Sequence, residues 1–194
     1  SQMEVSTLAV KPTKGEVFFE MWDNQTGENL LSHQQPNIIT LDAGILAAIV
    51  LTDPLARTNG INMLAVGSGA TGALLSPDAP DPKQRKLNAE ISRKAFSSTV
   101  FRDGSGNAVS YPTNVVDYTT VFGEAEAVGP LNEMGLLSTI SNNPNVTNPN
   151  PNSFPTRNTT VDLSDYDILV NYITFSVITK PSTATLAITW RITY

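Results

Sequence analysis

The chain has 194 residues, 40% of them hydrophobic and only 15% charged, which is enough to bury one real core. Its 12 Lys plus Arg against 18 Asp plus Glu leave a net charge of -6, which argues against nucleic acid as the primary partner. The absence of cysteine excludes disulfides, thiolate metal sites, iron–sulfur clusters and cysteine nucleophiles.

Near the N-terminus, Val5 to Val10 is a candidate strand, and Gly15 to Trp22 (GEVFFEMW) has the aromatic and β-branched content of a firmer one. The opening SQMEVSTLAVKPTKG lacks the basic-then-apolar order of a secretion signal, so a soluble compartment is expected. After Pro36, Ile45, Leu46, Ile49 and Val50 recur at helical spacing and Pro54 marks a stop, which predicts a short buried helix at roughly 42–51. The apolar run from Gly44 to Leu51 is far short of the roughly 20 residues of a membrane-spanning helix.

Ile61 to Val66 reads as a strand running into GSGATG. Gly67, Gly69 and Gly72 satisfy G-x-G-x-x-G, but only ALLS separates them from Pro77, so no helix can follow to hold a pyrophosphate. A strand-end turn is the better reading. Asp81 and Pro82 then offer a cap and a first-turn proline for a surface helix over KQRKLNAEISRKAF, with Leu87 and Ile91 on its apolar seam. Lys83, Arg85, Lys86, Arg93 and Lys94 concentrate five of the positive charges there. They suit docking on an acidic partner or, more weakly, contact with packaged nucleic acid; an ordinary solvated helix face is equally compatible.

Phe96 to Arg102, Val115 to Phe122 and Met134 to Ile140 have strand composition, the first two separated by the DGSGN turn. Residues 142–158 are dominated by Asn and Pro and predict a long loop or arm, in which Asn145, Asn150 and Phe154 are candidate interface residues. Asp162, Asp165 and Asp167 are either weak calcium ligands or turn caps; their spacing is not that of an EF-hand, and capping is the default. Ile168 to Tyr194 reads as a long antiparallel hairpin across KPST. Its first strand is apolar on both faces, and its second alternates Ala184, Leu186, Ile188, Trp190 and Ile192 with polar residues.

The expected architecture is mainly β: one antiparallel β-sandwich domain over 1–194, jelly-roll-like, with two short helices, a long Asn/Pro-rich loop, and residues 1–14 and 142–158 as candidate extended arms. Catalysis finds little support. His33 is the only histidine, in a polar loop setting without a nucleophile motif, and Glu124 and Glu126 share a strand face without sugar-stacking aromatics around them. No catalytic residue, cofactor or metal is expected.

Three segments together resemble a module of tail-, fibre- and neck-associated structural proteins of tailed bacteriophages. They are the V-G-x-G turn at Val66 to Gly69, the E-I-x-R-K stretch at Glu90 to Lys94, and the N-E-x-G-L strand at Asn132 to Leu136. The resemblance covers about Ile38 to Ser138. It implies a non-enzymatic virion component, made in the host cytoplasm, that self-associates as a ring or trimer and docks to other virion proteins. Neither a membrane, nucleic acid nor a small molecule is an expected partner. A capsid decoration protein is an alternative, as is a carbohydrate- or receptor-binding module that stacks sugars on Trp22, Tyr111 or Tyr118.

Overall fold

The structure, a computed structural model, describes residues 14–53, 55, 60–140, 163 and 166–194. It is mainly β, with antiparallel sheets and, among the described residues, one helix. The first elements among the described residues are β1 (Lys14–Asp23) and β2 (Asn29–Pro36), joined through a turn in which the Asp23 carboxylate accepts from the Gln25 and Thr26 amides. The short β3 (Ile38–Ile39) leads to α1 (Leu41–Thr52), capped by the Thr40 hydroxyl, which accepts from the Ala43 amide. Then come β4 (Met63–Gly67), the small hairpin of β5 (Gly72–Ala73) and β6 (Ser76–Pro77), β7 (Glu90–Ala95), β8 (Ser98–Arg102) and β9 (Ala108–Val109). Four long strands follow: β10 (Val115–Phe122), β11 (Gly129–Ser138), β12 (Ile168–Lys180) and β13 (Ala184–Thr193).

A six-stranded sheet runs β2-β1-β13-β10-β8-β9 and a five-stranded one β3-β12-β11-β4-β7. The pairing is nested: β1 with β13, β3 with β12, β4 with β11, and β8 with β10. Early strands therefore meet late ones, as in a ribbon folded back on itself. One hydrophobic cluster draws on both sheets, with Val17, Phe19, Tyr118, Phe122, Leu186 and Trp190 from the first and Leu64, Val66, Met134, Leu136, Ile173 and Phe175 from the second. On the other face of the five-stranded sheet, Met63, Ala65, Leu137, Leu169 and Tyr172 are covered by Leu87. Helix α1 shields Ile168 and Val170 with Leu46.

Two expectations are corrected. The strands of Ile168 to Tyr194 are both present, but β12 lies in the five-stranded sheet and β13 in the six-stranded one, so the link at Pro181 to Thr183 crosses between sheets and no hairpin forms. Alternation fixes which way each side chain faces and leaves the partner strand undetermined. The second helix is replaced by turns and by β7, which pairs with β4 from Ala95↔Met63 to Glu90↔Gly67. The expected seam does not form, since Leu87 and Ile91 join different clusters; a bulge at Ile91 places Glu90 and Arg93, three residues apart, on one face.

The expected helix near 42–51 forms over Leu41–Thr52, but it is only half-buried, since Leu51 is 85% exposed. His33 lies within β2, its ring 5.0 Å from that of Phe19, rather than in a loop. Glu124 and Glu126 sit in a turn between β10 and β11 rather than on a strand face. The candidate strand at Val5 to Val10 and the Asn/Pro segment with Asn145, Asn150 and Phe154 lie outside the described residues, as do Asp162 and Asp165.

Candidate functional site

The three segments singled out in the sequence fold as neighbouring strands, β11, β4 and β7, and the turn after β4 and the loop before β7 meet around one carboxylate of β11. Glu133 is fully buried on β11. Its Oε2 accepts from the Gly69 amide at 2.7 Å and the Ala89 amide at 2.8 Å, and its Oε1 from the Asn88 amide at 2.8 Å and the Tyr172 hydroxyl at 2.6 Å. Next to it, Asn132 accepts from the Ala70 amide at 2.9 Å. Both side chains reach the same loop because the β11–β12 register slips between Leu131 and Glu133.

The glycines of the V-G-x-G turn are explained by this clasp. A Cβ on Gly67 would overlap the Ala89 carbonyl oxygen and lie 2.7 Å from Glu133 Oε2; one on Gly69 would collide with the backbone and side chain at Asn88 and Ala89. The turn has no side chains at these positions so that the 88–89 backbone can cross directly over β4. Ser68 donates its amide to the Ala89 carbonyl at 3.0 Å and closes the crossing.

A second buried network lies beside it on β7. The Arg93 guanidinium holds both oxygens of Glu90 at 2.8 Å and reaches Asp167 Oδ2 at 2.8 Å. Burial raises the Glu90 carboxyl above its ordinary range even against the pull of Arg93. Burial also works against the charge on Arg93, but its hydrogen bonds to Glu90 and Asp167 outweigh this and raise its pKa. Arg85 forms a third buried pair with Asp42 of α1 at 2.9 Å, and the Leu41 amide donates to the Pro82 carbonyl. The segment before β7 is thereby fastened to the helix at one end and to Glu133 at the other.

The five basic residues expected on one helix face therefore do not form a common surface. Arg85 and Arg93 are buried ion-pair partners, and Lys94 donates to Glu126 Oε1 and the Val121 carbonyl, each at 2.9 Å. Lys83 is exposed and Lys86 half-buried. Asp167 is taken up by Arg93, which gives the acidic stretch before β12 a structural use. Of the three aromatics considered for stacking sugars, Tyr118 is buried with its hydroxyl 2.7 Å from that of Tyr194, Trp22 is half-buried, and Tyr111 is exposed.

Chemically, this constellation is a set of fasteners. Burial and the adjacent Glu133 charge push the Tyr172 phenol upward, so it remains a hydrogen-bond donor. Sequence reasoning missed Glu133 as the centre of the motif, although an acid enclosed by Leu131, Met134, Gly135 and Leu136 was the available signal, since buried charges require partners. No protein-family model matches the chain, and no curated protein is significantly similar to it in sequence.

Proposed function

We propose that this chain is a non-enzymatic structural protein of a tailed-phage particle, placed at the neck, collar or tail, where it self-associates and docks to neighbouring virion proteins or fibres. Its two sheets are read as a jelly-roll-like β-sandwich, supported by the core they share and by the nested pairing of early with late strands. One step departs from the regular jelly-roll alternation, because the β3–β12 and β4–β11 pairs occupy the same sheet.

The observation that carries the functional reading is the clasp around Glu133. Two of the three motifs that resemble those of phage structural proteins meet here, through Gly69 and through Asn132 and Glu133, and their polar groups hold strands and loops together instead of facing a solute. A scaffold fastened in this way suits a part that bears load between neighbours.

The test has two arms. Purified particles should contain the chain at a fixed copy number, by mass spectrometry, in small multiples of the particle's ring symmetry, and the isolated chain should self-associate in light scattering. Hundreds of copies would instead make it a capsid decoration protein. A strict monomer absent from particles would reject the proposal.

A further inference from the structure

A groove of 570 Å³ opens beside α1, walled by Leu46, Val50, Ile61, Val170 and Ile192. Leu41, 51% exposed, stands at its rim. The size is that of a ligand or peptide site, about 300–1,000 Å³. Of the polar groups in its lining, those of Thr40, Tyr118 and Tyr194 are hydrogen-bonded within the fold, and that of Asn171 is not. Asn171 is fully buried, and neither its Nδ2 nor its Oδ1 has a hydrogen-bond partner. An orphaned buried amide is an unusual feature that a native fold normally satisfies. The matching occupant carries apolar side chains together with a hydrogen-bonding main chain, as a peptide turn does.

The chain itself displays such a turn. Leu74 and Leu75 form the two-residue tip of the β5–β6 hairpin and are 73% and 81% exposed. The tip is held in place: Val177 of β12 donates its amide to the Leu74 carbonyl at 3.1 Å, and the Ser176 hydroxyl donates to the Leu75 carbonyl at 2.7 Å. The amides of the two central residues take no part in the hydrogen bond of such a turn, which leaves donors for an amide oxygen like that of Asn171. A fixed, exposed leucine pair is the arrangement of an interface anchor rather than of a surface at rest.

We propose that the groove receives the Leu74–Leu75 turn of a second copy of this chain. Within one copy the two features are kept apart, since the hairpin is tied to β12 at Ser176 and Val177 and the groove touches β12 at Val170 and Asn171, roughly 20 Å away at about 3.3 Å per residue. The contact joins two different surfaces, so repeating it generates a closed ring where the rotation per copy permits. This deepens the proposed self-association and rests on it.

The natural absence of cysteine makes the test direct. Leu75→Cys and Ala47→Cys are prepared separately, both positions being exposed and Ala47 lining the groove, then mixed and mildly oxidised. A covalent dimer containing one of each is expected to dominate over like-with-like dimers. In parallel, Leu75→Asp and Gly44→Leu, the latter projecting into space empty around Gly44, should each reduce the scattering mass to a monomer while keeping the wild-type circular dichroism spectrum and a cooperative melt. If self-association persists unchanged in both variants and no mixed dimer forms, the groove contact is wrong while the assembly reading stands. A wild-type chain that is monomeric at every concentration removes the assembly reading itself. Efficient intrachain cross-linking of Ala47→Cys to Leu8→Cys would show the groove filled by the chain's own N-terminal residues and would also overturn the proposal.

Discussion

Replacing Glu133 by glutamine keeps the side chain's shape while converting one acceptor oxygen into a donor. If the amide nitrogen takes the Oε1 site, the Tyr172 hydroxyl can rotate to accept from it, but the Asn88 amide is left facing a donor. An orphaned buried N–H costs about 1–3 kcal/mol, and the Gly69 and Ala89 bonds each fall from charge-assisted to neutral strength, a further loss of about 1 kcal/mol apiece. Together these give ~3–5 kcal/mol, or roughly 6–20 °C in melting temperature for a chain of this length. Calorimetry of Glu133→Gln against Glu124→Gln, an exposed control, measures it. Tyr172→Phe should cost ~1–2 kcal/mol in the native background and clearly less alongside Glu133→Gln, because the charge it serves is then gone. A Glu133→Gln protein that melts within about a degree of wild type would refute the clasp.

Three other outcomes follow from specific contacts. Gly67→Ala should destabilise by ~2 kcal/mol or more in denaturant melts, since its Cβ meets the Ala89 carbonyl, whereas Gly44→Ala, in open space on α1, should stabilise by ~0.5–1 kcal/mol. Trp190→Ala should cost ~3–5 kcal/mol, because the indole is fully buried between the sheets and donates to Asn37 Oδ1 at 2.9 Å; an unchanged unfolding midpoint would contradict its central place. At Asp117, burial pushes the carboxyl up, but hydrogen bonds from Arg191 and Arg102 outweigh it and hold the group below its ordinary value of 3.8. Its stabilisation is then complete above pH 4 or so and is lost as pH falls through the depressed value, so Asp117→Asn should lose less stability than wild type between pH 5 and about 2.5, read from urea midpoints.

Composition and alternation made the β-rich class legible, and β10 stands where VVDYTTVF placed it. What stayed hidden depended on partners distant in sequence. Arg85 and Arg93 look like surface charge until Asp42 and Asp167 arrive from elsewhere in the chain to pair with them. The Leu87 and Ile91 spacing that suggested a helix seam belongs to two different clusters, Leu87 covering the outer face of the five-stranded sheet and Ile91 packing on the main core, which a periodicity count cannot distinguish from a helix face. The two-sided apolar character of β12 correctly required cover on both faces. It could not reveal that β13, after a link of three residues, would join the six-stranded sheet and share a core cluster with Ile173 and Phe175 of β12.

The nested pairing also sets an order of events. β13 lies between β1 and β10, and β12 between β3 and β11, so both sheets keep an open slot until residues 168–193 have been made. A nascent chain can form β1 with β2 and β4 with β7, but it cannot close its core or complete the wall that Ile192 contributes to the groove. The groove beside α1 is therefore a late product of folding: it gains its full wall only when strands from both ends of the described chain have come together.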